Sequence, residues 1–235
     1  MRESISFRLN TIFRMFGAAV LLGLLSACYV SGDDEAYDGP EPIGYKQLNL
    51  GVPVLLGASA SGVQYRDGVG VTVAHNRIVI RNRIWSHPTH DIAFFKLDRE
   101  APAWREVKNG DTVTAFGNSI LRRNRVLKTE VTDTETMYWS VLPDKIYITR
   151  HGFTSGMSGG PIYDEEGHAV GIVLGTITRD PPKDEDAYGK VHRGNGIFVP
   201  TSQIDLAFVA MCDELGSDTW PCDQDLMRHP DGGGM

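Results

Sequence analysis

Ser158 lies in Gly156-Met157-Ser158-Gly159-Gly160-Pro161, and an apolar run, Val170-Gly171-Ile172-Val173, begins soon after it. A hydroxyl on a tight turn just ahead of a strand is placed for nucleophilic attack. Glycine at 156 accepts a positive φ because it carries no Cβ, so the N–H groups of Gly156 and Ser158 can point into one small cavity. Two such donors about 3 Å from a developing oxyanion form an oxyanion hole. Gly159 and Gly160 then keep the far side of the turn clear for a substrate backbone. The chemistry is acyl transfer, and it needs two more groups: a base within reach of the hydroxyl and a carboxylate that orients the base. Asp91 begins an apolar stretch, His87 and His90 lie close to it, and His75 ends a run that follows the turn signal Asp67-Gly68. His151, His168, His192 and His229 read as surface residues.

The hexapeptide 156–161 resembles the nucleophile motif G-x-S-G-G-P of the chymotrypsin-like (trypsin-fold) serine proteases. Two other stretches carry the likeness. Asp91-Ile92-Ala93-Phe94-Phe95-Lys96-Leu97 is similar to the family's D-I-A-L-L-K-L, and Thr72-Val73-Ala74-His75 is similar to its T-A-A-H. The resemblance covers roughly residues 50–215 and implies a catalytic triad of His75, Asp91 and Ser158. With it come an oxyanion hole from the N–H groups of Gly156 and Ser158, a peptide or protein substrate, and neither metal nor cofactor. A second register competes. It lays the family's G-x-G on Gly68-Val69-Gly70 and puts Arg83 where the base should stand, which would make the chain an inactive trypsin-fold module for binding or structure. His87 and His90 remain candidate bases as well. His75 and Asp91 are only sixteen positions apart, so the strands between them must be minimal and drawn from Arg77–Trp85.

The resemblance also bears on activation and specificity. Met157 stands where trypsin-type zymogens carry an aspartate for a newly cut N-terminal ammonium, so the implied site is preformed. Gly152 stands where an aspartate would select basic side chains. The implied substrate pocket is bounded by Gly152–Ser155 and by Leu174, Gly175 and Thr176. It takes a small or apolar side chain, and substrate backbone can pair with that strand edge.

The elements that must hold these groups are short strands. Apolar runs rich in Val, Ile, Thr and Phe, broken by Gly, Asp and Asn, predict strands at 51–57, 60–65, 69–75, 77–85, 91–97, 112–117, 124–131, 145–150, 161–164, 169–175 and 195–200. One helix follows at 202–215, capped by Ser202, with Ile204, Ala207, Phe208, Met211 and Leu215 on one face. The fold class is all-β. The family resemblance implies two six-stranded antiparallel barrels, about 46–100 and 101–200, within a protease domain of 46–216 that ends in the helix.

Residues 1–27 read as a secretory signal: Arg2, Arg8 and Arg14 precede a short apolar core that ends in Leu25-Ser26-Ala27-Cys28. That end resembles the bacterial lipoprotein signal and implies lipidation of Cys28. Tyr29 in place of aspartate then points to the outer membrane, with the domain facing the periplasm or the cell surface. Losing Arg2, Arg8, Arg14 and Glu3 with the signal takes the net charge from −7 to −9. An acidic chain is not steered to nucleic acid or anionic headgroups, so the lipid would provide the membrane attachment. Residues 28–45 are acidic and rich in Gly and Pro, and predict a flexible tether. Cys212 and Cys222 predict a disulfide in an oxidising compartment. The tail 217–235 predicts little structure, and the chain is expected to be a monomer.

Overall fold

The computed structural model describes residues 34–50, 58–118, 124–135, 145–179 and 192–223. The strand expected at 51–57 lies outside these residues, as do Cys28, the signal segment and the end of the tail.

Five strands form a first antiparallel sheet. They are β2 (Tyr45–Leu50), β3 (Ala58–Arg66), β4 (Val69–Thr72), β5 (Arg83–Ser86) and β6 (Ala93–Lys96), in the order β2-β3-β4-β6-β5. The Asp67-Gly68 signal makes the β3–β4 turn, with Gly68 at φ +73°. The second sheet contains β1 (Glu35–Ala36), β7 (Thr112–Gly117), β8 (Arg125–Glu135), β9 (Ile146–Thr149), β10 (Pro161–Tyr163), β11 (Ala169–Thr176) and β12 (Gly196–Pro200). Its order is β1-β8-β7-β10-β11-β12-β9, and β9 returns to pair with β8. Six of its strands therefore close a barrel, and β1 pairs with the start of β8 on the side away from β7. The chain is thus mostly β, with one closed six-stranded barrel and one C-terminal helix. Of the two six-stranded barrels expected, the second is closed, and the first half is a five-stranded sheet among the described residues.

Side-chain alternation places the core. Tyr147 and Phe198 point into the barrel, beside Val113, Leu127, Ile162 and Val173. Their neighbours Ile146, Ile148, Ile197 and Val199 point out, into a cluster with Val63, Val71 and Phe94 of the first sheet. β9 and β12 are buried on both faces, which is why they read as unbroken apolar runs.

The helix α1 (Thr201–Leu215) covers that shared cluster with Ile204, Ala207, Phe208 and Met211. Two expectations change here. Leu215 is 36% exposed instead of sharing the buried face. Ser202 lies inside the helix, whose N-cap position is Pro200, which has no capping side chain. Glu106 supplies the missing acceptor, taking the N–H of Ser202. Tyr65 of β3 donates its hydroxyl to Asp205 of the helix, and burial pushes its pKa above the usual phenol range, so it stays a donor.

Cys212 and Cys222 form a disulfide across ten positions. It holds the chain after the helix against the first sheet, where the Lys96 ammonium sits 4.9 Å from the Trp220 ring. Opening this loop should lower stability by about 2–3 kcal/mol on the chain-entropy account. Urea unfolding with and without reductant measures it, and an unchanged midpoint with both thiols titratable would contradict the estimate.

The segment expected to be a flexible tether over 28–45 is held to the body at both ends of its described part, 34–45. β1 pairs with β8 through Glu35↔Val126 and Ala36↔Arg125. Tyr37 donates its N–H to the Asn124 carbonyl and packs edge-on against Phe116. Tyr45 is 1% exposed and begins β2, a strand the composition had hidden. Acidic, Gly- and Pro-rich composition predicts disorder only where no apolar side chains anchor the segment, and here two tyrosines do.

Candidate active site

β4 ends at Thr72, and the chain turns through a 3-10 helix, Ala74–Ile78, that starts from an extended Val73. His75 stands in its first turn. β5 is only four residues long, so the chain returns quickly and Asp91 arrives just ahead of β6. The end of the 3-10 helix and a turn occupy 77–82 of the strand expected at 77–85, leaving only the short β5, and this is how sixteen positions suffice.

Asp91 grips His75 at two points. Oδ1 accepts the His75 backbone N–H at 2.7 Å, and Oδ2 meets the ring Nδ1 at 2.6 Å. An ionised carboxylate only accepts hydrogen bonds, so this contact assigns the proton to Nδ1 and leaves Nε2 as the ring's acceptor. The His75 side chain is 47% exposed and that of Asp91 17%. The imidazole is thus about half open to solvent, and the orienting carboxylate is partly sheltered.

His87 and His90 serve the loop that delivers Asp91. Their rings stack in parallel with centroids 4.0 Å apart. His87 Nδ1 accepts the N–H of His90 at 2.9 Å and of Thr89 at 3.2 Å. Arg83 is exposed on β5, the edge strand of the first sheet.

The Ser158 turn is fixed from below and from across. Met157 is fully buried among barrel residues, including Phe153 and Phe198, and so anchors the turn by apolar packing. The N–H groups of Met157, Gly159 and Gly160 donate to the carbonyls of Thr154, Val173 and Met157. Among the described residues, no acceptor takes the N–H of Gly156 or of Ser158. Gly156 has φ +100°, a conformation that glycine adopts without Cβ strain. The two unclaimed donors are the two that the sequence pattern assigns to an oxyanion hole.

From the first sheet, Ser61 N–H and Asn76 Nδ2 both donate to the Ser158 carbonyl, each at 3.0 Å. Ser61 Oγ donates to the Gly156 carbonyl at 3.2 Å. Asn76 follows His75 directly, so one side chain ties the histidine turn to the serine turn. Sequence reasoning missed Ser61 and Asn76. An asparagine beside the histidine was the only local signal, and its partner lies 82 positions away.

Gly159 and Gly160 have a different purpose from the one expected. They leave room for the chain itself, and not for substrate. A Cβ on Gly159, which has φ +78°, would lie 2.0 Å from Thr72 Oγ1 and 2.3 Å from the Ser61 carbonyl. A Cβ on Gly160 would lie 2.2 Å from the Phe116 carbonyl.

Of the residues expected around the pocket, Gly152 packs on Thr176, whose Cγ2 would be 2.6 Å from an added Cβ. Thr176 Oγ1 donates to the Phe153 carbonyl at 2.8 Å. Gly175 has nothing within 4 Å of a Cβ position. Leu174 is 5% exposed and belongs to the cluster shared with the first sheet, so Gly175 and Thr176 are the positions that reach the surface. β10 begins at Pro161 opposite Ile172, and Val173 exchanges hydrogen bonds with Gly159 and Gly160. Beyond it, the edge of β11 on that side carries no strand among the described residues.

The profile of the trypsin-like peptidase domain matches residues 53–172. No curated protein matches by sequence. Solved structures of similar fold include the HtrA-type protease AlgW with a tripeptide, at TM-score 0.58 and 19% identity, covering 74% of this chain and 61% of that one. The Rv3671c protease of M. tuberculosis in its active form gives 0.55 and 17%, covering 75% and 82%. The MamO protease domain of Magnetospirillum magneticum in its apo form gives 0.53 and 18%, covering 71% and 96%. The chain spans about 60% of the length of the HtrA-type protease chains it resembles.

Proposed function

The chain belongs to the trypsin-like peptidase family, among the chymotrypsin-like serine proteases, and we propose that it is a membrane-anchored serine endopeptidase acting through an acyl-enzyme. Ser158 Oγ attacks the peptide carbonyl while His75 Nε2 takes its proton. Asp91 holds the imidazole in the required tautomer and stabilises the imidazolium. The N–H groups of Gly156 and Ser158 bind the oxyanion of the tetrahedral intermediate. His75 returns the proton to the leaving amine, and water then hydrolyses the ester by the same steps in reverse order.

The two-point grip of Asp91 on His75 carries this assignment. It is the arrangement a general base needs, and it favours His75 over His87, whose Nδ1 is engaged by loop N–H groups. Met157 needs no counter-ion, which supports a site formed without a cut N-terminus. The uncovered edge of β11 supports antiparallel docking of an extended peptide, with a small or apolar side chain beside Gly175 and Thr176. The five-stranded sheet is the counterpart of the closed barrel, with the site between them. Export and lipidation at Cys28 complete the proposal, by resemblance of residues 25–28 to a lipoprotein signal.

One observation favours the alternative of a binding module without catalysis. Among the described residues, no hydrogen bond joins His75 Nε2 to Ser158 Oγ. Such contacts often tighten only when substrate is bound. Covalent labelling of the full chain with a fluorophosphonate, beside Ser158→Ala, separates the two. Labelling that vanishes in the variant is the expected result. A folded chain that does not label is the binding module.

A further inference from the structure

The arm ahead of β2 carries an acidic residue into the nucleophile loop. Asp34 and Arg125 are buried together, their side chains 5% and 9% exposed. Arg125 Nε donates to Asp34 Oδ2, and its Nη2 donates to the Asp34 carbonyl. The other carboxylate oxygen, Oδ1, accepts the hydroxyl of Thr154. Thr154 is 3% exposed and lies four positions before Ser158. Its carbonyl accepts the Met157 N–H at 3.1 Å, which closes the turn that sets the direction of the Gly156 N–H. One carboxylate thus joins the arm, strand β8 and the loop of the oxyanion donors.

Resting on the protease assignment above, we propose that Asp34 is a positioning residue: docking of the N-terminal arm, through Asp34 on Arg125 and Thr154, orders the oxyanion turn for catalysis. The polarity is opposite to that of a zymogen ion pair. Here the arm brings the anion, and the body supplies the cation and a hydroxyl. A buried carboxylate of this kind is stable only while both partners are in place, so arm and loop are coupled. The described part of the arm opens with a two-residue strand beside β8, which contributes few backbone bonds of its own. Most of its hold on the loop therefore passes through this one side chain.

The test uses the full chain with Thr154→Val, which keeps the volume and removes the hydroxyl, Thr154→Ser, which restores it, and Asp34→Asn. Amide hydrogen exchange is followed in peptides covering 152–160 and 58–66. The rate of fluorophosphonate labelling is resolved into probe affinity and bond-forming rate. We expect exchange over 152–160 to rise at least tenfold in Thr154→Val and Asp34→Asn, with 58–66 unchanged and Thr154→Ser close to the parent. The bond-forming rate should fall at least tenfold at nearly constant affinity. Exchange that stays at parental rates, or that rises equally in both peptides, overturns the proposal, as does an unchanged bond-forming rate. A parent chain that does not label at all refutes the protease assignment, and the exchange experiment still decides the coupling.

Discussion

Replacing His75 by alanine should leave the protein folded and lower kcat/KM on a peptide substrate by on the order of 10⁴- to 10⁶-fold, the range for losing the base of a triad. The side chain is 47% exposed, so truncation removes little packing. What disappears is the ring held by Asp91 through both its Nδ1 and the residue's own backbone N–H, next to the Asn76 that binds the Ser158 turn. Asp91→Asn should cost about 10⁴-fold for a different reason. The amide keeps the shape but can turn an N–H toward Nδ1, which favours the wrong tautomer. Circular dichroism and a melting curve establish folding, and turnover of a fluorogenic peptide gives the rate. Full activity in folded His75→Ala would move the base elsewhere, first to His90.

Among the described glycines, Gly159→Ala should be the most damaging added methyl group. The added carbon would lie 2.0 Å from Thr72 Oγ1 and 2.3 Å from the Ser61 carbonyl, at a backbone φ of +78°. The positive φ alone costs about 1–3 kcal/mol, and forcing an extra carbon into packed surroundings about 1–3 kcal/mol more. Both neighbours belong to the network that joins the first sheet to the Ser158 turn. Thr72 Oγ1 donates to the Ser61 carbonyl and accepts from Asn76. The variant should therefore lose labelling at Ser158 as well as stability. Gly175→Ala is the control, since nothing lies within 4 Å of its Cβ position. A denaturant midpoint for Gly159→Ala within experimental error of the parent would show that the turn can shift without cost.

The site was legible in proportion to how local its signals are. Ser158 and its glycines form a contiguous turn motif, and Asp91 opens a strand, so pattern alone locates them. His75 was one of several candidates because a 3-10 turn of five residues gives no hydrophobic period. The strand positions of the closed barrel followed from apolar runs, because β9, β11 and β12 bury both faces. Ser61, Asn76 and Asp34 were invisible: they are ordinary polar residues whose partners lie 82 to 120 positions away. The arm was misjudged on composition, since one buried ion pair and two tyrosines outweigh its acidic character. The purpose of Gly159 and Gly160 could not be read either, because the atoms they make room for belong to other strands.

The docked arm also sets a radius of action. A free tether from Cys28 to Tyr45 could extend about 60 Å at 3.3–3.6 Å per residue. With Asp34 fixed on Arg125, only residues 29–33 separate the proposed lipid from the barrel, a span of about 20 Å at full extension. A protease moored in this proposed way would not sweep the surrounding compartment. On the proposed lipidation it would work as a surface tool, and the peptide bonds within its reach would be those that other molecules present close to the same membrane.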